Sequence, residues 1–164
     1  MRTLVGGIGY RNLRDHSVAF TVLDRLEEEN LGAQVCLEDT SYNPIALGQW
    51  LESGPPDQRF ERVVFVAAVS REGRRPGEVT AYRWSGRLPP DEDVQQAVTE
   101  AVTGIIALDN TLVIGTYFKT LPASVSVVEI EPQAHEFGAD LTPAVAAAVP
   151  RACDAIRALI AEAR

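Results

Sequence analysis

Residues Val63 to Val69 read Val-Val-Phe-Val-Ala-Ala-Val, an unbroken apolar run with no polar side chain at either alternate position. Side chains of a strand point alternately to opposite faces of its sheet, so a strand can be apolar throughout only where both faces are covered. The run therefore predicts a strand at the centre of a mostly parallel sheet, with helices packed on both sides. A sheet with one face in water is excluded for this part of the chain.

The rest of the sequence supplies neighbours for that strand. Thr3–Ile8 and Val125–Ile130 are short apolar segments bounded by polar or glycine-containing stretches and predict buried strands, and Ala33–Leu37 predicts a further strand. Glu78–Trp84 alternates, which predicts a more exposed strand, paired as a hairpin. Between these lie helical patterns. Val18, Val22 and Leu26, with Leu23 beside them, form one apolar stripe after Asp15. Asn43 and Pro44 open a short helix carrying Leu47, Trp50 and Leu51. Pro89-Pro90-Asp91 opens another with Val94, Ala97, Val98, Ala101 and Val102; Gly104 weakens it without ending it, and helix extends to about Phe118. Thr142-Pro143 begins a last helix that buries Val149, Ala152, Cys153, Ile156, Leu159 and Ile160, with Pro150 marking a kink or the true start. Strands alternating with helices predict an α/β fold: a three-layer α/β/α sandwich around a mostly parallel central sheet. No repeat or linker divides it, so residues 1–164 form one domain.

Composition narrows the function classes. The net charge of −8 argues against nucleic acid or an anionic membrane surface as a partner. The N-terminus enters Arg2-Thr3-Leu4-Val5 without an apolar signal segment, and no apolar run reaches the roughly 20 residues of a membrane span; both point to the cytoplasm. Cys36 and Cys153 each sit in apolar surroundings and read as buried thiols, with no spacing that suggests zinc.

Sites in open α/β sheets form beyond the carboxyl ends of the strands. Four segments meet that description: Gly9–His16, Glu38–Tyr42, Ser70–Gly77 and Glu131–Phe137. The first partly matches a dinucleotide fingerprint but has Asn12 where the third glycine belongs, so no NAD or FAD site is assigned. No Gly-x-Ser-x-Gly elbow is present, and His16 and His135 are the only histidines for a nucleophile to draw on.

The order of landmarks resembles one family. Gly7-Ile8-Gly9-Tyr10-Arg11-Asn12-Leu13-Arg14-Asp15-His16 follows the first strand, Leu37-Glu38-Asp39-Thr40 ends the second, and Phe65-Val66-Ala67-Ala68-Val69 precedes a turn with Pro76-Gly77. Leu121-Pro122, Val127-Val128-Glu129-Ile130-Glu131-Pro132 and Leu141-Thr142-Pro143 complete the series. In this order the chain resembles the [NiFe]-hydrogenase maturation endopeptidases over nearly its whole length. The resemblance implies a phosphorylase/hydrolase-like fold and, as partner, the precursor of a hydrogenase large subunit. It implies an activity that reads nickel held by that substrate and removes a C-terminal extension.

Carried over residue by residue, the family's nickel-contacting trio falls on His16, Ala67 and Gly104, with Asp109 near the third position. A nickel site needs lone-pair donors, and Ala67 and Gly104 have none in their side chains. The resemblance therefore implies an altered relative acting in large-subunit maturation without the usual nickel-guided cleavage, and no resident cofactor. Two other readings stand beside it. One is an active peptidase with substitute ligands, His16 with Asp15 or Asp39. The other is a small-molecule enzyme on a similar sheet. Asp15, Asp39 and His16 are expected to gather at the carboxyl rim of the sheet, with Asp15 capping its own helix. Arg11, Arg14, Arg71, Arg74 and Arg75 are expected to form a basic patch there that receives an anionic segment of the partner. The sequence does not determine the oligomeric state.

Overall fold

The computed structural model describes residues 1–162. The strand read from the central apolar run, β3 (Arg62–Ala68), lies in the middle of a five-stranded sheet. The order is β2 (Val35–Asp39), β1 (Thr3–Ile8), β3, β5 (Ser124–Ile130), β4 (Val79–Arg83). The first four strands are parallel, and β4 closes one edge antiparallel to β5.

Alternation along β3 sends its side chains into two cores. Val64 and Val66 join Val5, Val128 and Ile130 under α1 (Val18–Glu27) and α5 (Pro143–Ala161). Val63, Phe65 and Ala67 face the other way, against Leu47 and Leu51 of α2 (Pro44–Glu52) and Leu108 and Leu112 of α4 (Leu108–Tyr117). Every residue from Val63 to Ala67 is at most 2% exposed, which is the covering on both faces that the run requires. Burying one such side chain contributes about 1.5–3 kcal/mol before entropy is counted. α3 (Asp91–Val102) does not reach the sheet. Its Ala97 and Ala101 pack on Ile114 of α4 and Ile45 of α2.

Local signals act where they were expected. The Asn43 side chain accepts from the Ile45 amide at 2.8 Å and caps α2. Arg62, at the start of β3, donates to the carbonyls of Leu159 and Ile160 and so satisfies the C-terminal end of α5. Three expectations are corrected. β4 is not a hairpin with β3; β5 lies between them, because the partner strand arrives later in the chain. Gly104 does end its helix: it adopts φ +93°, a left-handed conformation that stops α3 after Val102, and α4 starts separately. Pro150 is neither start nor end of α5, which runs through it with the proline ring on the solvent side. Cys153 is fully buried, while Cys36 is only half-buried, its thiol 3.6 Å from Glu38. Among the described residues no helix is long and apolar enough to cross a membrane.

Candidate functional site

Chain order reverses across the β1–β3 pair, since β1 has β2 on one side and β3 on the other. Open α/β sheets leave a crevice beyond the strand ends at such a switch point. Here that crevice is a cavity of about 280 Å³. Ile8, Tyr10 and His16 line it from the β1 side, Ala67 at the end of β3 and Val69 just beyond it from the other, and residues 105–109, which lead into α4, close it. The turn on the β1 side depends on Gly9. The Tyr10 amide bonds to the His16 carbonyl at 2.9 Å, and a Cβ on Gly9 would lie 2.3 Å from that same oxygen. The far wall is fastened by the Ile106 amide, which donates to the Tyr10 hydroxyl at 2.8 Å.

His16 thus sits on the same cavity as Ala67, and Asp109 borders it as well. Gly104 immediately precedes the far wall and has open space around it. His16 Nε2 lies 2.8 Å from His135 Nδ1, so one ring nitrogen is the donor and the other a lone-pair acceptor. Burial, then the neighbouring His135, pushes the His16 pKa down against the opposing pull of Asp15. His16 is therefore the neutral imidazole at pH 7. The position of His135 was not readable as a partner of His16, because the contact spans 119 residues.

Asp15 does something other than cap its helix. It is fully buried and accepts from the amides of Gln133, Ala134 and Thr142 and from the Thr142 hydroxyl, at 2.7–2.9 Å. Burial raises its pKa, but those hydrogen bonds more than offset this and hold it below the usual carboxylate value. Asp15 therefore ties the first loop to the segment that precedes α5. Arg14 strengthens the seam, donating to Glu136 and to the Asp140 carbonyl, while its amide bonds to the Gly138 carbonyl. Asp39 lies at the end of β2, bonded to the Ser41 amide and 3.5 Å from Arg11; it does not line the cavity.

The arginines form internal pairs in place of an open patch. Arg71 grips Asp109 with two hydrogen bonds of 2.7 and 2.8 Å and also contacts Glu129. Arg74 pairs with the same Glu129 at 2.5 Å. Arg11 pairs with Asp39 and lies over the Phe20 ring, and Arg14 pairs with Glu136. Arg75 has no side-chain ion pair among the described residues; its amide bonds to Glu78. The guanidinium groups of four of these arginines thus already hold carboxylates.

The sequence reading passed over Glu129. It is fully buried on β5, where Arg71, Arg74 and the Tyr82 hydroxyl surround it. Burial raises its pKa, yet the hydrogen bonds from Arg71, Arg74 and Tyr82 bring it below the usual value. The signal was present, since a carboxylate inside an apolar strand must find partners.

Nickel borne by a partner would be substrate here, and the positions to which the resemblance carries the family's contacts offer few donors for it. Ala67 and Gly104 offer no side-chain donor, the facing nitrogens of His16 and His135 are engaged with each other, and no group of three metal-binding side chains converges among the described residues.

No family model matches the sequence, and no curated protein matches it. Solved structures do. A hydrogenase 2 maturation peptidase from a Thaumarchaeota archaeon aligns at TM-score 0.63 and 25% identity, covering 95% of each chain. The hydrogenase maturating endopeptidase HybD of E. coli aligns at TM-score 0.72 and 21% identity, over 99% of this chain and 93% of that one. The [NiFe] hydrogenase maturation protease HybD of Thermococcus kodakarensis aligns at 0.67 and 18%, over 98% and 99%. The chain has the fold of these maturation peptidases, and the resemblance drawn from the order of its motifs holds in three dimensions.

Proposed function

We propose that this chain, sharing the fold of the hydrogenase maturation peptidases, acts in the cytoplasm in the maturation of a [NiFe]-hydrogenase large subunit. In this reading it engages the precursor without nickel-guided cleavage at the family's location. What supports it is the cavity at the β1–β3 switch point, where Ala67 and His16, onto which the resemblance carries two of the family's ligands, are a methyl group and an imidazole bonded to a second imidazole. Function follows the groups in a site and not the fold around it. The test is incubation with the cognate nickel-loaded precursor. A complex forming with the precursor's mass unchanged is expected; removal of the C-terminal extension would refute the reading.

The ring nitrogens of His16 and His135 that do not face each other carry one second reading, a peptidase with substitute donors. Calorimetry separates the two. A tight one-to-one nickel site abolished by His16→Ala supports the second reading, and negligible binding supports the first.

A further inference from the structure

We propose that the cavity at the β1–β3 switch point is a receptor for one large uncharged side chain, aliphatic or aromatic, borne on a polypeptide segment of the partner. The proposal rests on the functional reading for the identity of the guest as protein, and goes beyond it in naming what the site accepts.

Three observations point to this guest. The first is the lining. Ile8, Ala67, Val69, Ile106 and Leu108 surround the space, and Tyr10 and Ile105 at its mouth are 40% and 48% exposed. Apolar surface left open at a concave site gains free energy when an apolar group covers it. The second is size. About 280 Å³ lies at the lower edge of the roughly 300–1,000 Å³ of pockets that take whole small molecules. It suits a single side chain better than a cofactor.

The third observation is charge. Although the chain carries −8 overall, the carboxylate that lines the cavity, Asp109, is held by Arg71. Arg71 and Arg74 share the buried Glu129. A carboxylate or ammonium entering this space would lose its water at a cost of several kcal/mol, and the lining carboxylate it would meet is already engaged by Arg71. An apolar side chain meets no such penalty. The cavity also needs no guest to form, since the Tyr10 hydroxyl already holds its far wall through the Ile106 amide.

The test is NMR titration of the intact protein with N-acetyl-leucine amide, N-acetyl-phenylalanine amide and N-acetyl-aspartate amide. The two apolar probes are expected to shift the amides of residues 67–70 and 105–109 saturably, and the aspartate probe is not. Raising the salt concentration should leave the apolar titrations unchanged, because no charge is involved. Ser70→Trp, placed at an exposed position, and Ala107→Trp, on the half-buried far wall, should each fill the space and weaken binding at least about tenfold. Native shifts elsewhere report that each variant is folded. Equal binding of the aspartate probe, salt-weakened binding, or shifts confined to other surfaces would overturn the proposal. Retention of precursor by Ser70→Trp at undiminished affinity would overturn it while leaving the maturation reading intact. Apolar probes that bind while the precursor does not would remove the maturation reading alone.

Discussion

Asp15 and Glu129 are both fully excluded from solvent, and both are held ionised, yet by opposite means. Asp15 is solvated by neutral dipoles, three backbone amides and one hydroxyl, all from residues 133–142. Glu129 is solvated by two guanidinium groups and a phenol from residues 71, 74 and 82. The difference lies in what the partners do when the carboxylate is gone. Backbone amides cannot move away without unfolding their loop. Arginine side chains can swing to water or to another acid. The seam at Asp15 should therefore be stiff and costly to break, while the cluster at Glu129 should be more forgiving.

The largest effect is expected from Asp15→Ala. It leaves several buried donors with no acceptor, each costing about 1–3 kcal/mol, and the loss should total about 3–5 kcal/mol in urea denaturation. Glu129→Leu should cost less, about 1–3 kcal/mol, the loss of hydrogen bonds from donors that can find other partners. Arg71 keeps Asp109, and Arg74, already partly exposed, can reach water. A loss for Glu129→Leu equal to or greater than that for Asp15→Ala would break the comparison.

Acid titration sharpens it. Both carboxyl groups have folded pKa values below their unfolded ones. The stability they contribute is fully present above the unfolded values, about pH 4, and is lost as pH falls through the folded values. Wild-type protein should lose stability more steeply below about pH 4 than Asp15→Asn does, measured as Tm against pH. Parallel curves would show that Asp15 is not ionised in the folded state. The smallest effect is expected at the outer end of the arginine cluster. Asp109 is half-exposed, so Asp109→Asn should shift stability by under about 1 kcal/mol, and added salt should narrow even that difference.

The same contrast marks what could be read from the chain beforehand. Local chemistry was legible. The cap at Asn43, the covered strand at Val63–Ala67 and the start of α5 at Thr142-Pro143 follow from residues adjacent in sequence. The role of Asp15 was misread as a helix cap because its true partners lie more than a hundred residues away. The arginines were visible as a group, but whether they stood free depended on Asp109, Glu129, Asp39 and Glu136, each delivered by a different part of the chain. β4 was recognised as a strand and given the wrong neighbour, since alternation reports burial and not pairing.

By itself, then, the sequence determined where the strands and most of the helices lie and that the central strand is buried on both faces. Those properties reside in single residues and in periodicities of a few residues. Only the tertiary structure decided that Ala67 and His16 share one cavity, that His16 meets His135, and that Arg11, Arg14, Arg71 and Arg74 each hold a carboxylate. Each of those contacts joins residues far apart in the chain, and packing of the sheet and its loops is what brings them within hydrogen-bond reach.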